Sequence, residues 1–334
     1  MRILVTGGNG FIGSHTVAAL VRAGHQVRLL VRNPDQVARS LTPHDVEVDD
    51  VVVGDVLDAD AVRGALDGVD AVIHAAAVYS LNPKHAGRIR RTNVSATRLV
   101  LGAAAELGLD PIVHVSSTVT LVRRGGSGPE LPLGDIALPY TQSKIDSEIV
   151  ARELQESGAP VTIVYPGATL GPLDPYCGDQ TERLHAIVRG LMPMWPRGGM
   201  HMTDVRDVAS VLAAAVEPGR EARRLVVPGH HVDAATLYGA ARAATGQRIP
   251  VMTPPLSVMR MATAAAGQLN RILPDRWHYP ADREGIEIVC RDCRVDDSPA
   301  RLQLGVVPRP FGETVAETVS SSVETGRLAR RYVR

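Results

Sequence analysis

Neither sign of charge is in excess in this 334-residue chain, which carries 36 basic and 36 acidic side chains. That balance removes the one-sided basic footprint of a nucleic-acid binder. No apolar run approaches the roughly 18 residues that would raise a membrane-spanning helix, the longest being Ala/Val stretches such as Val208 to Val216. Met1-Arg2 leads into only three strongly apolar residues before Thr6-Gly7-Gly8, which is not the pattern of a signal peptide, so a cytoplasmic protein is expected. Cysteine is scarce, and its count of 3 is odd. Cys177 stands far from Cys290 and Cys293, so no disulfide framework is expected. The Cys290-Arg291-Asp292-Cys293 pair has neither a second pair nor a nearby histidine to complete a zinc site; no metal is expected, and reduced thiols are the reading. No internal repeat or low-complexity segment shows. What is present is 45% hydrophobic and 22% charged residues, enough to bury a full core without metals or disulfides. The expected partner is a small molecule.

Short runs rich in Val, Ile and Leu alternate with Ala-rich stretches of helical period, the signature of βαβ units feeding a parallel sheet. Strands are predicted at Ile3–Thr6, Val27–Val31, Val51–Val53, Ala71–His74, Ile112–Ser116 and Val161–Tyr165, with helices near 11–23, 60–66, 84–107 and 140–157. The fold class is therefore α/β, a Rossmann-type doubly wound parallel sheet over residues 1–165. After Pro166 the alternation breaks down, and Leu225–Val227, Ala234–Thr245 and Leu256–Leu273 read as extra strands and helices. Residues 166–334 are expected to form mainly a smaller substrate-binding lobe, interleaved with the first unit and returning segments to it.

The first chemical signal is Thr6-Gly7-Gly8-Asn9-Gly10-Phe11-Ile12-Gly13, lying between a predicted strand and a predicted helix. It reads as GxGxxG from Gly8 or GxxGxxG from Gly7. In that context glycines allow a sharp turn and close approach of backbone N–H groups to a pyrophosphate, and the helix N-terminus favours negative charge. Gly7, Gly10, Phe11, Ile12 and Gly13 are thus candidate cofactor-binding residues. An acidic residue at the end of the second strand would bind the ribose of NAD, but here Val27-Arg28-Leu29-Leu30-Val31 ends in Arg32. A guanidinium pairs bidentately with a 2′-phosphate, so NADP is preferred and NAD remains possible, with Asp35 close by. Asp55 and Val56, after the third strand, are candidates for the adenine amino group and ring. Ala75 and Ala76, after His74, leave room for a cofactor across the strand ends.

The catalytic signal is Tyr140-Thr141-Gln142-Ser143-Lys144, with Ser116-Ser117-Thr118 ending an earlier strand. Residues i and i+4 share a helix face, placing the Tyr140 phenol beside the Lys144 ammonium. A neighbouring cation stabilises phenolate and brings the tyrosine toward its working range, so that it can exchange a proton with a carbonyl or alcohol oxygen. Ser117 would hydrogen-bond the same oxygen. Lysine occurs only at Lys84 and Lys144, against abundant arginine. Lys144 is therefore read as needed for a compact ammonium, Lys84 as a solvated residue near a helix start.

These motifs together resemble an extended short-chain dehydrogenase/reductase of the epimerase/dehydratase superfamily, in its dihydroflavonol reductase-like branch. The resemblance also rests on Asn93-Val94, Glu148, Pro166-Gly167-Ala168 with Gly171-Pro172, and Thr203-Asp204-Val205-Arg206-Asp207. It implies that Tyr140 is the proton donor and that Lys144 holds the nicotinamide ribose and lowers the tyrosine pKa. Ser117 would orient the substrate oxygen, with Thr118 as the substitute if the register is one residue off. It further implies Pro166 by the nicotinamide, Asn93 steadying the active-site helix, and a homodimer through the helices near 84–107 and 140–157. Val119-Thr120 stands where sugar dehydratases carry an acidic pair, which demotes dehydration. Tyr165 replaces the arginine often found before the proline. The expected activity is NADP-dependent hydride transfer to or from a carbonyl or alcohol of a small apolar substrate. The rivals are an NAD-dependent 3β-hydroxysteroid dehydrogenase, a nucleotide-sugar epimerase and, from another class, a non-catalytic NADP-sensing protein. Tyr176, Met192, Met194, Trp195, Met200 and Met202 either line an adaptable apolar pocket or fill a core. Leu256–Leu273 reads as a packed helix of the smaller lobe, ahead of a lid or a membrane-touching face.

Overall fold

The computed structural model describes residues 1–78, 86–124, 126–127, 130–272 and 283–333. Lys84, and Leu273 at the end of the late helical run, lie outside the described residues. The first half builds β1 (Arg2–Thr6), α1 (Phe11–Arg22), β2 (Gln26–Val31), α2 (Asp35–Leu41), β3 (Val51–Val53), α3 (Ala59–Leu66), β4 (Ala71–His74), α4 (Ala86–Glu106), β5 (Ile112–Val115), α5 (Pro139–Glu156) and β6 (Val161–Tyr165). The second half adds β7 (Ala168–Leu170), α6 (Asp179–Val188), β8 (Gly199–Asp204), α7 (Val205–Ala214), β9 (Arg223–Val226), β10 (His230–Asp233), α8 (Ala234–Thr245), α9 (Leu256–Ile272), α10 (Arg283–Cys290), α11 (Ser298–Leu304) and α12 (Phe311–Glu324).

Seven strands form a sheet in the order β3-β2-β1-β4-β5-β6-β9, every pairing parallel. Its central strands are near-continuous apolar runs because helices cover both faces. Ile3, Val5, Leu29 and Ile73 pack with Val17, Leu20, Val208 and Leu212 of α1 and α7 on one face. On the other, Leu4, Val72 and Ile163 meet Val62, Val100, Leu101 and Ala151 of α3, α4 and α5. The sheet thus takes α7 and β9 from beyond Pro166. A second, three-stranded sheet in the order β10-β8-β7 shares a separate core with α6, α8 and α12, including Leu184, Met202, Tyr238 and Val315. Among the described residues no helix is long and apolar enough to cross a membrane.

Candidate active site

Parallel strands in register bring their C-terminal ends to one edge, where an open α/β sheet leaves a crevice. Thr6 pairs with Leu30 on one side and His74 on the other, His74 with His114, and Val115 with Val164. The glycine turn, Ala75 and Ala77, Ser116–Thr118 and Pro166–Ala168 therefore follow neighbouring strands. They line a cavity of about 480 Å³ together with Tyr140 and Lys144 of α5.

The glycine turn is built to keep a floor clear. Gly7 adopts φ +71, and a Cβ there would stand 2.7 Å from the Ala76 nitrogen; one on Gly13 would stand 2.0 Å from the Gly7 carbonyl oxygen. Gly10 is the N-cap of α1 and offers no side-chain acceptor. The first N–H groups of α1 consequently face the cavity without a cap of their own. A bare helix N-terminus behind side-chain-free backbone fits a dinucleotide pyrophosphate. Phe11, Ile12 and Ala75 share this lining, whereas Ala76 contributes backbone, its N–H donating to Thr6 Oγ1 at 3.3 Å. Arg32 is exposed at the end of β2, and Asp55 and Val56 are half-buried after β3, along the same edge but outside the cavity. The Asp55 carboxylate accepts from the Leu57 N–H at 3.0 Å, which fixes a turn.

Tyr140 and Lys144 are both nearly inaccessible, at 7% and 5% exposure. Lys144 Nζ donates to the Val115 carbonyl at 3.1 Å. Burial pulls its ammonium down to about 8, and the Glu148 carboxylate one turn on pulls it back up. Beneath it His74 and His114 stack with ring centroids 5.8 Å apart. Burial, reinforced by Lys144, drives His74 down to about 3 and His114 well below its ordinary value, so both are neutral. Glu148 is wholly buried. It accepts from Ser116 Oγ at 2.8 Å and from the Tyr165 phenol at 2.8 Å, and pairs with Arg152. Tyr165, at the place of an expected arginine, thus meets a carboxylate, while Arg152 brings the guanidinium from α5. Ser116, Ser117 and Thr118 all line the cavity, but the Ser116 hydroxyl is committed to Glu148, which leaves the Ser117 and Thr118 hydroxyls of that turn for a substrate oxygen. Ser117 caps the 3-10 turn Thr118–Leu121, its Oγ accepting from Val119 N–H at 3.4 Å. Asn93 of α4 clamps the adjoining loop: its amide donates to the Val78 carbonyl and to Ser143 Oγ of α5, both at 3.1 Å, and accepts from Val78 N–H at 2.8 Å.

Beyond the glycine turn the wall is mostly apolar, with Val119, Val122, Met200, Ile288 and Val295, and with Arg183 among polar residues of the α6 region. Of the Met- and Trp-rich run, only Met200 joins Tyr176 in this wall. Met192, Trp195 and Met202 are buried in the core of the smaller sheet, where Trp195 sits edge-on to Tyr238 at 6.1 Å. Cys290 and Cys293 are free thiols, and the Cys293 side chain reaches the cavity and the Leu121 carbonyl. One residue escaped the sequence entirely. Glu284 of α10, 5% exposed, places its carboxylate on the first turn of α5. The local signal was negative: Leu138 precedes that helix with no acceptor to offer.

Comparison with known proteins gives the family and the fold. The model of the NAD dependent epimerase/dehydratase family matches residues 3–227. A putative dihydroflavonol 4-reductase of Synechocystis is 28% identical over 94% of this chain and 92% of its own length. Sterol demethylase protein B of Methylococcus capsulatus is 28% identical over 98% and 100%. Among solved structures, a dTDP-glucose 4,6-dehydratase from Streptomyces venezuelae with NAD bound superposes with a TM-score of 0.75 at 25% identity, covering 98% of this chain and 99% of that one.

Proposed function

This chain belongs to the NAD dependent epimerase/dehydratase family, and from that premise we propose that it is an NADP-dependent oxidoreductase acting on a carbonyl or alcohol of a small, apolar substrate. One observation carries the reading: a single cavity takes in the glycine turn, Ser117, Tyr140 and Lys144. When bound, the nicotinamide supplies or accepts the hydride. Tyr140 passes its phenolic proton to the carbonyl oxygen as negative charge develops there, and takes it back in the oxidative direction. The Lys144 ammonium favours the phenolate and, with Asn93 bracing α5, keeps the phenol aimed. Ser117 donates to the same oxygen, with Thr118 next in line. Pro166 lines the same cavity and would lie beside the nicotinamide. Val119, Val122, Met200 and Ile288 would hold the apolar body of the substrate.

The exposed Arg32 guanidinium at the end of β2 supports NADP. Arg32→Ala should weaken NADPH far more than NADH in calorimetry; an equal effect would favour the NAD-linked readings, a sterol dehydrogenase or a nucleotide-sugar epimerase. Tyr140→Phe should abolish NADPH oxidation by a panel of aryl ketones, aryl aldehydes and oxosteroids while NADPH affinity holds. Turnover of no panel member by the wild type, or full turnover by that variant, refutes the reductase. We further propose a homodimer through the outer faces of α4 and α5, where Ile149 stands 38% exposed; Ile149→Glu should then give a monomer in sedimentation.

A further inference from the structure

The helix that carries Tyr140 lacks a cap from its own sequence. Its N-cap is Leu138, whose side chain accepts nothing, and its first residue is Pro139. The N–H groups of Tyr140 and Thr141 therefore need acceptors from elsewhere, or the first turn sits buried and unsatisfied. Glu284 supplies them from a segment 143 residues away in sequence. Thr141 N–H and Thr141 Oγ1 donate to Glu284 Oε1 at 2.5 and 2.6 Å, and Tyr140 N–H donates to Glu284 Oε2 at 3.3 Å. A carboxylate at a helix N-terminus also faces the positive end of the helix dipole. The same short helix, α10, gives Gly285 and Ile288 to the substrate side of the cavity wall.

We propose that Glu284 is a positioning residue for the reaction, its carboxylate fixing the first turn of α5 and with it the Tyr140 phenol. The inference rests on the reading of Tyr140 as proton donor. It adds that the tyrosine is in place only while the α10 wall of the cavity is seated against α5. Proton transfer requires the phenol within hydrogen-bond reach of the substrate oxygen. The backbone N–H of Tyr140 is itself one of the capped groups, so loss of the cap displaces the catalytic side chain at its root. Lys144, a full turn further on and anchored to Val115, stays where it is.

The test uses the full-length protein loaded with NADPH and the panel compound it reduces fastest. Tyr140→Phe is made first. If that variant retains turnover, the reading and this inference fall together; if it is inactive, Glu284 is judged alone. Glu284→Ala should lower kcat about 10- to 100-fold, as sub-ångström to ångström misplacement of a reacting group does. NADPH affinity and stoichiometry should stay at the wild-type values, and the solvent deuterium isotope effect on kcat should rise as proton transfer becomes limiting. Glu284→Gln, which keeps one acceptor for Thr141 N–H, should recover part of the loss, and Thr141→Val, which removes only the hydroxyl donor, should sit nearer the wild type. A role confined to holding the fold would reduce the fraction of chains that bind NADPH and leave kcat per bound cofactor and the isotope effect unchanged. That result, or wild-type kcat in Glu284→Ala, overturns the proposal.

Discussion

Replacing Lys144 by methionine should destroy activity and strengthen the fold. The ammonium is held at about 8 against an ordinary value of 10.5, chiefly by burial. At 1.36 kcal/mol for each pH unit, that gap corresponds to about 3 kcal/mol by which charged Lys144 destabilises the folded chain at neutral pH. Methionine has a similar length, no charge and a flexible thioether suited to the space between β5 and α5. The one hydrogen bond lost, Nζ to Val115 carbonyl, is worth about 1 kcal/mol. Lys144→Met should therefore gain on the order of 2 kcal/mol in urea unfolding at neutral pH. The sign of its pH dependence is fixed. Between about 8 and 10.5 the unfolded chain holds the proton and the folded chain does not, so wild-type stability from this group rises with pH across that window. The variant lacks this rise, so its advantage should vanish within the window and turn into a deficit of about 1 kcal/mol above it, the value of the lost hydrogen bond. A variant less stable than wild type at neutral pH, or an advantage independent of pH, would refute the account of a buried ammonium retained for chemistry at the expense of stability.

Two further outcomes follow from the same neighbourhood. Activity in the reductive direction should decline on the alkaline side as Lys144 loses its proton near its value of about 8, and Glu148→Gln should move that limb to lower pH, because the carboxylate is what raises Lys144; a limb unmoved or moved upward in a pH–kcat profile would contradict the assignment. That variant should also lose about 3 kcal/mol of stability in denaturant titration, since Arg152 and the Tyr165 phenol are built around the charge. Gly13→Ala should abolish NADPH binding and cost about 1–3 kcal/mol, as its methyl would be driven into the Gly7 carbonyl 2.0 Å away; calorimetry showing wild-type affinity would contradict the cradle.

The parts of this molecule that a reader of the sequence could see are those governed by neighbours along the chain. Ile3–Thr6, Val51–Val53 and Val161–Tyr165 announce parallel strands because each is a short apolar run closed by a turn. The glycine turn and the Tyr140–Lys144 pair are legible because their geometry is local. The smaller sheet was not, since β7 and β10 are only three and four residues long, β8 carries His and Met and β10 carries His in place of an apolar run, and all three are paired by tertiary position. Met192 and Trp195 left pocket and core equally open in sequence, and three-dimensional packing against Tyr238 sends them to the core. Glu284 was invisible for a stricter reason. What it does is set by helix ends that meet only when the chain has folded, and nothing within several residues of it distinguishes it from a solvated glutamate.

The position of β9 has a consequence for synthesis. Every strand up to β6 emerges in order from the ribosome, yet the partner that closes the β6 side of the sheet is Arg223–Val226, reached only after β7, α6, β8 and α7. Throughout that interval the nascent sheet presents β6, whose Val161-Thr162-Ile163-Val164-Tyr165 is apolar and β-branched, as a naked border able to accept a strand from another chain. A ribosome that stalls between Tyr165 and Arg223 would release a product with every residue of the Tyr140–Lys144 pair already made and an adhesive edge, so the hazard to this protein lies in translation tempo as much as in the finished fold.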